Sequence, residues 1–576
     1  EYTMKIDVSK LGYRWKGLYD SSASYVKGDV VKVGDETHVF TDSANKRKFA
    51  VGQTQLTEKG SVAVDNTLAP VGKRGTELRS KSVTIGGSAT FTPEFRHSKD
   101  RNGTKVKELA HMMSEHPRYG AWQHVAVMTD GSARAWGFNA YGALGIDSTT
   151  TNRPIWASST ELPLPRGTVV KKAWTSYLNT FLLDTNNVLW SSGHYYSQPD
   201  NMANGSSSQR FFPITSLTDI GDDEIVELKG GYSANCYSPQ APSFLIRCKS
   251  GKVYGWGGNY AECLGLGTGA ITVPTLIPFT ANYPIKYMSI NNGPEASSYL
   301  IDIEGKLWSS GYFNRNFHNT NSNVHRKYDP WGSENAKVKQ AWSHSNSTNG
   351  SYTSQVNTDV VLLEDGRLFM QGNQQGVYQY WRGAGYRANG WYFNQRFDPG
   401  IPLIEDIDFY QGAAGSYTNF LAIKKDKTVV TAGHSPINSS GTNQITTFEP
   451  LLTTPASPQT KVTDVVDIIS VGGRYGSCYA LRTSGGLVYV IGYSGKGQKG
   501  TGHTDQGATI AICQPAKLPP VEQLVMTGYA HESTTDTCLI ARCTNGETYH
   551  WGFNGNNNLA DGTSAAHIHA PVQVKF

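Results

Sequence analysis

Apolar and polar positions alternate on both sides of Asp130-Gly131 in the stretch His124 to Gly137. Two short strands joined by a tight turn give that pattern, because successive side chains of a strand point to opposite faces and Asp-Gly tolerates the positive φ of a hairpin turn. The second strand ends in Trp136-Gly137, an aromatic followed by glycine. The same hairpin recurs, closing at Gly137, Gly193, Gly257, Gly311, Gly372, Gly433, Gly492 and Gly552, at spacings of 54–64 residues. Six residues before each closing glycine stands a turn residue: Gly131, Asn187, Gly251, Gly305, Gly366, Lys427, Gly486 and Gly546. A fixed offset at eight evenly spaced places marks an internal repeat.

Each unit predicts four strands. The first strand of the hairpin is apolar, as in 181–183, 244–246, 360–363, 420–423 and 538–540. Another apolar strand lies upstream of each hairpin, at 106–109, 169–174, 225–228, 285–290, 338–342, 404–409, 465–469 and 521–525. A weaker strand follows each hairpin, often near a proline such as Pro154, Pro274, Pro450 or Pro571. A lone four-stranded unit has two open edges and an uncovered apolar face. Radial packing covers the faces and leaves only short edges. The pattern therefore predicts an all-β fold over 104–576, a β-propeller of about eight four-stranded blades with seven as the alternative. Helical solenoids are excluded by the period-2 alternation and by 61 glycines in 576 residues.

Composition agrees, with 31 Tyr, 13 Trp and only 17% charged residues. The net charge of +5 is uneven: residues 1–110 hold 19 Lys+Arg against 13 Asp+Glu, and the remainder 33 against 34. A neutral body argues against a phosphate-binding platform, so no nucleic acid is expected. The basic front suits an acidic partner or simply a solvated surface. The seven cysteines form no Cys-x-x-Cys pair and are too sparse for a disulfide scaffold, which predicts reduced, partly buried thiols. No apolar run of about 18 residues occurs, so no membrane insertion is expected. No leader-type segment is read at the start, which begins with Glu1.

Some units carry more than the hairpin. The first reads Trp136-Gly-Phe-Asn139, then Gly142-Ala-Leu144-Gly145; the third Trp256-Gly-Gly-Asn259, then Cys263-Leu264-Gly265-Leu-Gly267; the eighth Trp551-Gly-Phe-Asn554, then Leu559-Ala-Asp-Gly562. This resembles the repeat of the regulator-of-chromosome-condensation family, Trp-Gly-x-Asn followed by Gly-x-Leu-Gly. The seventh unit is looser, the second and fourth keep only Trp-Ser-Ser-Gly (Trp190–Gly193, Trp308–Gly311), and the fifth and sixth are degenerate. The family is typically seven-bladed, and its founding activity is nucleotide exchange on a chromatin-bound small GTPase. No residue here matches that activity. The resemblance implies a fold, with Trp filling the wedge between blades and Gly allowing the turn beside it.

In front of the repeats, Trp15-Lys-Gly-Leu-Tyr19, Tyr25-Val-Lys-Gly28-Asp-Val-Val31 and Thr37-His-Val-Phe40 resemble a small chitin-type carbohydrate-binding module that also occurs in phage virion proteins. The resemblance implies a small β module at 1–50, with Trp15, Tyr19, Tyr25 and Phe40 as its binding aromatics or its mini-core. Residues 51–103 read as an extended arm or linker with short β pieces near 82–85 and 89–92.

No phosphate loop, His-Glu-x-x-His or spaced Cys/His set appears, so no metal, cofactor or catalytic residue is expected. The paired imidazoles His567 and His569 read as an exposed pair without function. A period-breaking loop in the fifth unit carries Tyr380, Trp381, Arg382, Tyr386, Arg387, Trp391 and Tyr392. Tyr, Trp and Arg dominate interface energetics, so this loop is the candidate binding site. The expectation is a non-enzymatic phage virion protein, a tail, fibre or surface component. Its module and arm would contact other virion proteins, and its loops a host surface glycan or protein. Its place is the extracellular particle, assembled in the host cytoplasm, with a homo-oligomer left open. One alternative is a regulatory propeller acting as small-GTPase exchange factor or adaptor. The other is a polysaccharide-active enzyme with carboxylates at the ring's centre.

Overall fold

A computed structural model describes short strands between residues 14 and 91, and beyond them 104–113, 123–146, 155–176, 178–200, 207–231, 242–259, 262–291, 296–311, 322–328, 336–347, 355–372, 403–410, 419–434, 444–452, 461–473, 476–492, 494–504, 511–512, 518–530, 535–554, 566–574 and 576. The chain divides into two compact units, residues 1–104 with 165–167, and 105–164 with 168–576.

In the first unit, strand Arg14–Leu18 runs parallel to Asp29–Val33, which pairs antiparallel with Glu36–Val39. Val62–Val64, Val83–Ile85 and Ala89–Phe91 form a second antiparallel sheet, and Ala69–Val71 pairs with Glu77–Arg79.

The second unit is a propeller of eight blades, each a sheet of consecutive antiparallel strands. Their first and last strands are Val106–Leu109 and Ile155–Glu161, Val170–Ser176 and Ser208–Pro213, Ile225–Gly231 and Ile271–Leu276, and Ile285–Asn291 and Ser322–Tyr328. After the fifth blade, which starts at Val338–Ser347, come Ile404–Tyr410 and Gln444–Pro450, Val465–Gly473 and Ala511–Ile512, and Val521–Ala530 and His567–Gln573. The fifth blade shows three strands among the described residues, ending at Leu368–Gly372. The second gains a short parallel strand, His111–Met112, beside Trp174-Thr175.

The core lies between blades. Eight apolar clusters fill the eight seams, one each. Strand alternation explains this. Val125 and Val127 face the second blade, while Ala126 and Met128 face the eighth. Both faces of every blade are thus covered, and the blade count is eight rather than seven.

The turn residues hold the blades in step. All eight have positive φ, including Asn187 and Lys427 at 64°. In six seams the turn carbonyl accepts the first N–H of the next blade: Gly131 from Val170, Gly251 from Ile285, Gly305 from Val338, Gly366 from Ile404, Lys427 from Val465 and Gly486 from Val521, at 2.8–3.2 Å. In the second blade the Asn187 side chain does this, its Oδ1 accepting from Ile225 N at 2.8 Å. Glycine is favoured there for a second reason. A Cβ on Gly251 would come within 2.6 Å of Pro284 Cβ, so the close approach leaves no room for a side chain.

Among the described residues of the propeller, the ring closes where the first and eighth blades meet face to face. Leu109 N donates to Gln523 Oε1 at 2.9 Å, and Gln523 Nε2 donates to Leu109 O at 3.0 Å. Phe576 meets Trp136 edge-on, with ring centroids 5.4 Å apart.

Two outcomes follow. Gly251→Val combines a positive φ with overpacking at a seam, and is expected to cost about 2–4 kcal/mol, read as a lowered denaturant midpoint. Removing residues 574–576 uncovers Trp136, and is expected to speed amide exchange in Val106–Leu109 while leaving Ile285–Asn291 unchanged.

Candidate functional site

The aromatic loop singled out in the sequence, Tyr380, Trp381, Arg382, Tyr386, Arg387, Trp391 and Tyr392, lies outside the described residues, as do Tyr19, Tyr25 and Phe40. Trp15 lies on Arg14–Leu18, in register with Val30 of the parallel neighbour.

The motifs that carry the family resemblance prove to be joinery. Asn139 Oδ1 accepts from Leu144 N at 2.8 Å, and Asn259 Oδ1 from Leu264 N at 2.9 Å. Ser494 does the same in the seventh blade, its Oγ accepting from Lys499 N at 2.9 Å. Each folds the loop after the third strand into a clip that lies on the outer strand of the next blade. Ile146 bridges Arg210, and Leu266 bridges Val324. The receiving blades explain Trp-Ser-Ser-Gly. Ser192 Oγ donates to Ala143 O at 2.9 Å, and Ser310 Oγ to Glu262 O at 2.9 Å. In the eighth blade, Trp551 Nε1 donates to Gln498 O at 2.7 Å. The tryptophans of the receiving pair have their own partner: Trp190 Nε1 donates to Asp184 Oδ2 at 3.1 Å and Trp308 Nε1 to Asp302 Oδ2 at 3.0 Å. These units keep only Trp-Ser-Ser-Gly of the motif but are the receiving half of a two-blade fitting. The signal was present: Asp stands six residues before Trp in both.

The groups that resemble catalytic chemistry are sealed in seams. Cys248, Cys263, Cys478, Cys538 and Cys543 are free and buried. Burial pushes the first four thiols up to about 12, and Cys543 to about 11, so none is a thiolate nucleophile near neutrality. Ser298 Oγ and His325 Nε2 lie 2.9 Å apart, like a nucleophile and its base. Ser298 is wholly buried, however, and its hydroxyl also lies 2.6 Å from Cys263 O as a donor. Burial lowers His325 to about 3, which makes it a poor base. The His567 and His569 rings lie 6.3 Å apart, and no group of three or more metal-ligating side chains occurs among the described residues.

Exposed apolar side chains occur on a clip and on outer strands, at Tyr141, Phe212, Val273 and Val324, and also on one face of the ring. On it, each tight turn is tied to the start of its own blade's first strand: Ile303 N donates to Pro284 O at 2.9 Å, Thr185 N to Val169 O at 2.9 Å and Ser484 N to Asp464 O at 3.0 Å. Apolar side chains stand out there. Ile303 is 62% exposed, Leu403 52%, Leu487 44% and Tyr283 40%. Tyr283 abuts Trp308, which stacks on Phe279 at 4.5 Å. Charges intersperse, with Lys306 paired to Glu304 and Lys286 to Glu364. An apolar side chain at a tight turn, where polar residues are usual, is what the sequence reading passed over at Ile303 and Leu487.

Residues 250–290, which run from the third blade's turn through its clip into the fourth blade, match the model of the Regulator of chromosome condensation (RCC1) repeat. Among solved structures, Prp20p from Saccharomyces cerevisiae, described with its binding properties to Gsp1p and histones, is 14% identical with a TM-score of 0.44, covering 81% of this chain and 88% of that one. Human WBSCR16 is 14% identical with a TM-score of 0.42, covering 77% and 93%. Yeast RCC1 (Prp20) bound to Kap60 is 15% identical with a TM-score of 0.42, covering 80% and 85%. The chain is an eight-bladed propeller in which one stretch matches the RCC1 repeat.

Proposed function

We propose that this chain is a non-enzymatic, protein-binding propeller of the adaptor type, which presents the turn face to its partner. The observation that carries the reading is the set of exposed apolar side chains on that face, Tyr283, Ile303, Leu403 and Leu487, on a frame fixed by hydrogen bonds from blade to blade. Apolar groups on a rigid, ion-paired surface suit a protein partner, because they bury area without ordering the frame first. Among the described residues, the five cysteines and the Ser298–His325 pair fill seams instead of serving covalent or acid–base chemistry. Small-GTPase exchange is the special case that the repeat resemblance suggests. The aromatic loop around Trp381 and Trp391 is a second candidate contact. The virion reading rests on the resemblance at residues 11–40 together with the basic arm, the reduced cysteines and the polar loops, none of which is specific to a virion.

The test uses the immobilised full chain and quantitative mass spectrometry of what it retains from its own source. Tyr283→Ala/Ile303→Asp and Trp381→Ala/Trp391→Ala are run beside the wild type. A protein retained by the wild type and reduced at least about tenfold in the turn-face variant supports the reading, since losing an interface anchor costs about 1.4 kcal/mol or more. Loss only in the tryptophan variant moves the site to the loop. Turnover of a polysaccharide by the wild type that is lost on removing a single carboxylate would overturn the non-enzymatic reading.

A further inference from the structure

Seven seams are joined by the chain, which runs from the last strand of one blade into the first strand of the next. The seam between the eighth and first blades has no such link and is held by contacts alone. Lys105 Nζ donates to Asn545 O at 2.5 Å, Gln523 pairs with the Leu109 backbone, and Val106, Leu109, Ala126, Met128, Trp136, Ile540 and Val574 form its apolar cluster. It is the one place where the ring can part while every blade stays folded.

That seam holds an unusual group. His550 lies on Thr548–Phe553, opposite Ile540 and Val572. Its neighbour Trp551 turns to the seventh blade, so His550 turns to the first. It is 1% exposed, and neither ring nitrogen has a hydrogen-bond partner. The same position, two residues before the closing glycine, is Ala135, Ser191, Gly255, Ser309, Met370, Thr431 and Val490 in the other blades. Only the unlinked seam has an imidazole there. Across the seam stands His124, also buried, its Nε2 3.9 Å from Cys538 Sγ and its ring 5.4 Å from that of Trp136.

We propose that the seam between the eighth and first blades is an acid-operated latch, closed while His550 is neutral and parted when it takes up a proton. Among the described residues, the groups facing this seam offer a cation no free carboxylate; Arg542, on the same face of its strand as Cys538, takes Glu522 at 2.9 Å. From Gln123–Met128 comes His124, whose like charge disfavours a second proton. From Thr535–Cys543 comes Cys538, whose thiol is pushed up to about 12 and stays neutral. Val521–Ala530 contributes Thr527, whose hydroxyl lies 3.2 Å from Cys538 Sγ, and His567–Gln573 contributes Val572. Glu108 on Val106–Leu109 is engaged by His111. Burial, with His124 second, therefore holds His550 well below the ordinary imidazole value.

The sign follows. An opened seam hydrates the imidazole and restores its ordinary affinity near pH 6.5. Closure is fully favoured above about that pH. Below it, the open-to-closed ratio rises by up to about tenfold per pH unit for each imidazole released. His325 and His194, lowered by burial to about 3 and about 4, lie elsewhere, and their titration weakens the fold without selecting this seam.

The experiment is hydrogen exchange by mass spectrometry on the full chain at about pH 7.5, about pH 6 and about pH 5, corrected for intrinsic rates. Peptides covering 105–113, 123–128 and 535–553 are expected to gain exchange on acidification, ahead of peptides covering 285–311. In His550→Val, which places the seventh blade's residue at the site, that gain is expected to fall at least about tenfold, with unchanged circular dichroism at neutral pH. His550→Ser is the second variant should the first fail to fold, and His325→Phe the control that leaves the seam response intact. Equal exchange at all pH values in the wild type would overturn the latch. So would loosening of all seams together, or the full acid response in a folded His550 variant.

Discussion

Everything in the propeller depends on covering both faces of each four-stranded sheet at once. A blade alternates its side chains between two neighbours, so no blade has a core of its own. The apolar area is shared, Val125 and Val127 with one neighbour and Ala126 and Met128 with the other. The bond from a turn carbonyl to the next blade's first N–H fixes the register in which sharing occurs. It is a backbone bond, so it repeats whether the turn residue is Gly305 or Lys427. Side chains are then free to vary from blade to blade, provided the seam stays filled.

That division explains what could be read in the sequence. The turn positions were legible because positive φ at a fixed offset restricts residue choice, and even Asn187 and Lys427 adopt it. The first strands were legible because they are apolar on both faces. Blade count needed coordinates, since a beat of hairpins does not say which pairs of faces meet; the eight filled seams do. Closure was not legible for the same reason. Gln523 and Leu109 are 414 residues apart, and nothing local in either announces the other. The turn face was not legible because Ile303 and Leu487 stand inside the most regular part of the repeat, where nothing in the spacing sets them apart.

The units that keep only Trp-Ser-Ser-Gly show a different limit. Trp-Ser-Ser-Gly lacks the Asn loop because it receives one. Ser192 and Ser310 supply small donors where a larger side chain would exclude the incoming clip, and Asp184 and Asp302 hold the displaced indoles. A repeat pattern scored one blade at a time reads complementarity as loss. Scored two blades at a time, the first and second match the third and fourth. The clip binds odd to even at three seams, from the first, third and seventh blades.

The pairing also bears on where polar groups are tolerated. Two residues before the closing glycine, the even blades carry Ser191, Ser309, Thr431 and His550, and the odd ones Ala135, Gly255, Met370 and Val490. Strand alternation turns the even set away from the clip and into the seams between pairs. The three hydroxyls and both imidazole nitrogens there lack hydrogen-bond partners. A buried polar group without a partner costs about 1–3 kcal/mol, so each of these four seams is weakened by the group it holds. Three of the four are backed by a covalent connection that limits what such a weakness can do. The fourth is the closure, where the same cost acts on contacts alone. Placing the largest and only ionisable member of the set at that seam makes the ring's integrity depend on one side chain's charge.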